Sequence, residues 1–177
     1  MSFPTPDKLQ VPVEPYAVKG YTFHKRVRRW IVLWATHLGD DVVVPAGTQV
    51  GAIGDGEVVW SQMRPGEDLK RNWGGIVVLG HENNGKTFYS VYGHMKDLQV
   101  KVGDRVLIGQ QLGVVADSYT PENGWWKIPH IHFAIYTGPW ENKILPGYKR
   151  IEEFRTKVKW WQDPKSFIDQ YNNERRN

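Results

Sequence analysis

Of six histidines in the chain, two stand one residue apart in WKIPHIHFAIY, where His130 and His132 enter an apolar run. On a strand, alternate side chains share a face, so these two imidazoles converge on one spot with Cα atoms about 6–7 Å apart. Phe133 and Ile135 take the opposite face. A third histidine, His37, opens HLGDD with Asp41 four residues on, and a fourth, His94, follows Tyr92 and Gly93 in YGHM. The VVVP after Asp41 is strand sequence, and along a straight strand His37 and Asp41 would lie about 13 Å apart, too far for ~2 Å bonds to one ion. A bend is needed, and Gly39 is the residue expected to supply it, because glycine accepts backbone angles that other residues avoid. Two histidines and a carboxylate make a catalytic zinc shell with one position left for water. A hydrogen-bonded core pair, or a solvent-facing strand, would equally account for His130 and His132 taken alone. His24, in a basic strand, and His81, before a polar turn, are expected to be solvated or structural.

The elements that must position these residues are strands. With 18 glycines and 11 prolines among 177 residues, 40% of them apolar, the composition favours a single soluble all-β domain with many turns. Pro4, Pro6, Pro12 and Pro15 rule out regular helix over residues 1–20, which read as an extended N-terminal arm on the surface of a domain spanning 21–177. YTFHKRVRRWIVLWATHLG reads as one or two strands. Hairpins are expected around GDG in DVVVPAGTQVGAIGDGEVVWSQ, around NNGK in GGIVVLGHENNGKTFYSVYGHM, and within LQVKVGDRVLIGQQLGVVADS. Residues 45–59 echo 101–115, with Gly47 on Gly103 and Val50 on Val106, the mark of a duplicated unit. A short C-terminal helix begins at DPKSFIDQY, with Asp163 as N-cap, proline at the first helical position, and Phe167, Ile168 and Tyr171 at helical spacing.

Absence of cysteine excludes disulfides and thiolate-bound zinc, so a transition-metal site must use histidine and carboxylate. A net charge of +4 and a pI near 9.2 suit an acidic partner such as nucleic acid, anionic lipid or a bacterial wall polymer. HKRVRR and ERRN come with no recognition motif, and charge runs are usually solvated faces, so no nucleic acid is expected as partner. No stretch approaches the ~20 apolar residues of a membrane span. The first residues lack the basic-then-apolar layout of a secretory signal, which leaves a cytosolic product, a trimmed mature form or a protein released by lysis.

Taken in order, HLGDD, YGHM and HIH resemble the lysostaphin-type (LytM-type) zinc metallopeptidases, whose pattern is HxGxD, a lone His after an aromatic, then HxH. These are peptidoglycan endopeptidases of the all-β duplicated-hybrid-motif fold, a sandwich or barrel-like stack of antiparallel hairpins. PAGTQVGAIGDGEVV, VKVGDRVLIGQQLGVV and PHIHFAI look alike too, so the similarity covers roughly 37–136 and leaves 137–177 as a C-terminal extension. The resemblance implies one zinc per chain, with His37, Asp41 and His132 as ligands and His94 and His130 flanking the attacking water and the scissile carbonyl. It implies a peptidoglycan peptide as substrate, action outside the cytoplasm at the cell wall or periplasm, and a monomer. Each ligating imidazole is expected to have an acceptor behind it that the sequence does not identify. The chain departs from the family in the long loop SYTPENGWWKIP before HIH, in the insertion SQMRPGEDLKRNW, and in Ala134, where an acidic residue is common.

Two other readings share the fold. A catalytically silent module that activates wall hydrolases would have lost ligands, and none is lost here. A sugar-transport phosphocarrier would need neither a metal nor Asp41 at its present spacing.

Tyr119, Trp125 and Trp126 in the long loop are expected to border the substrate groove, because aromatic rings grip a sugar or peptide face at little entropic cost. Trp125→Ala or Trp126→Ala should raise KM on wall substrate with the melting temperature nearly unchanged. A large melting shift with normal activity would assign the pair to the core instead.

Overall fold

The computed structural model describes residues 2–29, 32–64, 73–123, 127–150 and 158–176, with backbone alone at 29 and 32–34. Period-two patterning organises them. Strands β6 (Gly74–Asn83), β7 (Lys86–Lys96) and β10 (His130–Tyr136) lie side by side, antiparallel, and are buried on both faces. Val77, Leu79, Phe88, Tyr92, Ile131, Phe133 and Ile135 enter one core layer. Ile76, Val78, Tyr89, Val91, Ala134 and Tyr136 enter the other. β5 (Gly56–Arg64) and β8 (Arg105–Val106) extend the sheet beyond β6, while β3 (Asp40–Val43) and β12 (Trp161–Gln162) pair with β10. A separate small sheet has the order β1 (Arg26–Arg29), β2 (Val32–His37), β11 (Tyr148–Arg150). The all-β expectation holds.

Much of the tryptophan content goes to the second layer, where Trp60, Trp73, Trp140, Trp160 and Trp161 cover the sheet. The first layer is closed by the arm and the helix. Leu9 and Val13 of the arm are in the core rather than on the surface. Proline keeps its carbonyl although it lacks an N–H, and the arm uses this: Pro12 O accepts from Gly51 N at 2.9 Å, and Pro6 O from the Tyr171 hydroxyl at 2.6 Å. Helix α1 (Pro164–Glu174) starts where its cap directs, with Asp163 Oδ1 accepting from Ser166 N at 2.9 Å. Its Asn172 side chain bonds both the N–H and the carbonyl of Leu9, each at 2.8 Å.

Only one of the three expected hairpins forms as such. β6 and β7 are joined through Asn84 and Gly85, whose φ values of 51° and 74° are those of the tight turn that matches strand twist. Around GDG the two strands do not pair with each other. β4 (Gln49–Gly51) pairs instead with β9 (Gln111–Val115), and β5 with β8. These are the echoed segments, so each copy's first strand takes the other copy's second. Gly47 N donates to Val115 O at 2.9 Å and Gly103 N to Val58 O at 2.8 Å, both glycines at positive φ. The segment after β4 has no backbone groups to spare for a local hairpin: Ala52 N donates to Gln110 O and Ala52 O accepts from Gly109 N.

His81 is structural and fully buried. Its Nδ1–H donates to Asp55 O at 2.7 Å, and Nε2 meets the Ser90 hydroxyl at 2.8 Å. Burial pushes its pKa down from 6.5 to about 4, against the opposing pull of the Asp55 carbonyl and charge. Between these values the unfolded chain binds a proton that the native state refuses, so His81's contribution is complete above pH 6.5 and is lost toward pH 4. The loss amounts to about 3 kcal/mol. The stability gap between wild type and His81→Asn in urea unfolding should therefore narrow by about that amount from pH 7 to pH 4.

Candidate metal centre

β2 ends at His37, the chain turns through Leu38 and Gly39, and β3 begins at Asp40. The bend expected at Gly39 is there, but its reason is different. Gly39 is not among the glycines at positive φ. A Cβ at this position would stand 2.4 Å from Phe133 O and 2.9 Å from both Ala134 Cβ and His132 Nε2. Glycine serves here by having no side chain, which lets the turn press against β10. On the other side His37 is held by β11, with Tyr148 directly opposite it. Asp41 lies opposite His132 across the β3–β10 pairing, and Gly93 lies opposite His132 on β7.

These registers bring three ligand atoms together in a buried site. His37 Nε2 is 3.2 Å from Asp41 Oδ1, His132 Nδ1 is 3.1 Å from Asp41 Oδ1, and the two nitrogens are 3.0 Å apart. A carbonyl can only accept, so the 3.2 Å contact of His37 Nδ1 with Thr22 O makes Nδ1 the protonated nitrogen and leaves a lone pair on Nε2. That lone pair faces an acceptor carboxylate. A cation between them relieves the repulsion, either a proton or a metal ion. The donor set fits zinc: ligand atoms at the corners of a tetrahedron with bonds of about 2.0–2.1 Å lie about 3.3 Å apart. Burial pushes the Asp41 carboxyl up, but the hydrogen bond from His132 and the facing imidazoles more than reverse this and hold it well below the usual carboxylate range. His132 is pushed down to about 4, chiefly by burial.

His130 shares the face of His132, as the period-two spacing requires. Its Nδ1–H donates to Ile128 O at 3.0 Å, and its Nε2 is 4.0 Å from Asp41 Oδ1. The His94 ring is 4.7 Å from that of His130. His94 sits at φ 62°, with its N–H on Trp73 O at 2.7 Å and its Nδ1 3.4 Å from Glu122 O. Burial, then the neighbouring His130, push its pKa down to about 3.

Of the loop aromatics, Tyr119 is 54% exposed, while Trp125 and Trp126 lie outside the described residues. The loop reaches the site through its backbone, Glu122 O at His94 and Ile128 O at His130. Buried Asn123 ties it down, with Nδ2 3.4 Å from Ile128 O.

Among the aromatic neighbours of the site histidines absent from the sequence reading are Trp73 and Tyr148. Trp73 has its ring centre 5.1 Å from that of His132 and 6.0 Å from that of His94. The Tyr148 ring is 4.9 Å from His37, and burial, then the Asp41 and Tyr21 charges, raise its pKa. The only sequence signal for Trp73 is an aromatic residue directly before Gly74 and Gly75. Tyr148 had none, because its register against His37 is long-range.

A family model described as Peptidase family M23 matches residues 35–144, the span that carries all five of these histidine and aspartate residues. The chain is 34% identical over 106 residues to the glycyl-glycine endopeptidase ALE-1 of Staphylococcus capitis, covering 60% of this chain and 26% of that protein. It is 33% identical over 101 residues to the peptidoglycan DD-endopeptidase ShyA of Vibrio cholerae, covering 57% and 20%. The match thus spans about a quarter or less of the length of these curated relatives. Among solved structures, the catalytic domain of lysostaphin from Staphylococcus simulans aligns at 25% identity with a TM-score of 0.55, over 85% of this chain and 90% of that one. LytU aligns at 26% identity with a TM-score of 0.58, over 88% of each chain. By the family match over residues 35–144, more than half of its length, the chain belongs to peptidase family M23.

Proposed function

We propose that this chain is a zinc-dependent endopeptidase that hydrolyses peptide bonds in bacterial peptidoglycan cross-links, acting outside the cytoplasm. His37, Asp41 and His132 are its zinc ligands, and His94 and His130 are its proton-transfer groups. The observation that carries this is the convergence of His37 Nε2, Asp41 Oδ1 and His132 Nδ1 at 3.0–3.2 Å, which places two lone pairs against each other unless a cation joins them. Membership of a peptidase family and the wall-cleaving names of the relatives support the substrate class.

When bound, zinc supplies Lewis acidity that makes water a nucleophile near neutral pH and polarises a carbonyl. The remaining work falls to the histidines. His130 and His94 each have Nδ1 directed at a backbone carbonyl, Ile128 O and Glu122 O, so the lone pair is on Nε2 in both. His94 is uncharged at neutral pH. In this reading the Nε2 atoms take a proton from the attacking water and return one to the departing amine nitrogen as the C–N bond breaks. Both histidines are buried, which keeps bulk water from competing for those protons. A silent activator of the same fold would lack part of this set, and no member of it is missing.

His94→Ala and His130→Ala should each retain one zinc per chain and lose about 10²–10⁴-fold in turnover. His37→Ala, Asp41→Ala and His132→Ala should lose the metal. Elemental analysis, together with mass spectrometry of digested peptidoglycan, measures both. Wild-type protein that holds no stoichiometric zinc would overturn the proposal. Zinc lost by His130→Ala but kept by His132→Ala would reverse the assignment within HIH.

A further inference from the structure

A metal-binding histidine ordinarily donates its second ring N–H to a carboxylate, carbonyl or water, which fixes its tautomer and orientation. His37 does so through Thr22 O. His132 does not: with Nδ1 turned to Asp41 and His37, its Nε2 is buried with no hydrogen-bond partner among the described residues. Something else must stop the ring from rotating about χ2, since in a cavity with slack it would swing Nδ1 out of the ligand position.

Besides Asp41 and His37, the neighbours of that ring include two glycines and an indole. A Cβ on Gly39 would stand 2.9 Å from Nε2, and one on Gly147 would stand 3.5 Å from Cε1. Trp73 meets the imidazole edge-to-face, with 74° between the planes and 5.1 Å between centres. The indole is itself seated in a slot that only glycine permits. A Cβ on Gly93 would fall 2.4 Å from its Cε3 and Cζ3, and one on Gly147 would fall 3.1 Å from its Cη2. The Trp73 backbone is pinned through its carbonyl, which accepts from His94 N at 2.7 Å.

We infer that Trp73 is the positioning residue for His132, holding the imidazole in its ligating orientation by ring packing where no hydrogen-bond acceptor stands among the described residues. The inference rests on the metal site proposed above. Edge-to-face packing of two aromatic rings is itself attractive, because the positive rim of one ring meets the negative π face of the other. An aliphatic side chain of similar bulk restricts the ring less and offers no such attraction.

The test is zinc affinity by chelator competition on the full chain, with circular dichroism and melting of the metal-free protein as the fold control. Trp73→Ala should weaken zinc by about 10–100-fold, the usual range for removing the group behind a ligating histidine. Trp73→Phe, which keeps an aromatic face, should recover most of the affinity. Zinc bound by Trp73→Ala as tightly as by wild type would overturn the inference, as would an equal loss in Trp73→Phe. Should Trp73→Ala fail to fold, Trp73→Phe against Trp73→Leu makes the same comparison: tight for Phe and weak for Leu supports it, and equal affinities overturn it. Wild-type protein without zinc affinity would instead strike the metal-site proposal, and this inference with it.

Discussion

Lone pairs on His37 Nε2 and Asp41 Oδ1, 3.2 Å apart in a site closed to solvent, repel each other unless positive charge lies between them. A flexible chain would relax this contact by rotating a side chain or admitting water. Here it persists because each donor atom is set by a separate backbone register. His37 ends β2, held by β11; Asp41 stands on β3; His132 stands on β10, paired on both sides. The strain of assembling acceptors is distributed over strand pairings that themselves bury large apolar areas, and so the site keeps its shape.

That rigidity originates in the way the two echoed segments share strands. Had each formed its own hairpin, two small units would have met across a side-chain interface. By exchanging partners they join through backbone hydrogen bonds, β4 to β9 and β5 to β8, and the Gly47 and Gly103 turns each bond into the other copy. The arm and α1 then seal the first core layer, the arm through proline carbonyls that need no N–H in return. Tryptophans seal the second, on the face of β10 from which His130 and His132 project.

Around the candidate metal centre, glycine and aromatic residues work as a pair. Gly39, Gly93 and Gly147 leave room that a single methyl group would take, and the room is filled by the β10 backbone, the Trp73 ring and the His132 ring. Gly74, at φ 62°, lets Glu122 O approach to where a Cβ would be 2.2 Å away, which brings the long loop's backbone to His94. The loop therefore participates through carbonyls as well as through any side chain it presents.

Local chemistry made a large part of this legible in one dimension. Period two alone puts His130 and His132 on one face and Phe133 and Ile135 on the other, because strand geometry is nearly context-free. Asp163 with Pro164 marks the helix start for the same reason: a cap acts within one turn. HLGDD, YGHM and HIH in order point to a candidate donor set through their resemblance to a metallopeptidase pattern, and His37, Asp41 and His132 do come together in the fold. What the tertiary structure decided was pairing. GDG looks like a hairpin turn, yet the donors and acceptors beside it are taken by a segment more than fifty residues away, as Ala52 with Gly109 and Gln110 shows. Gly39 suggests an unusual backbone angle, but its role is an approach to Phe133 O that exists only once β3 lies on β10. Trp73 and Tyr148 meet the site histidines by register and packing across the fold. Such contacts depend on which strands become neighbours, a choice made by the sum of many weak pairings rather than by any residue's own type, and no local pattern encodes it.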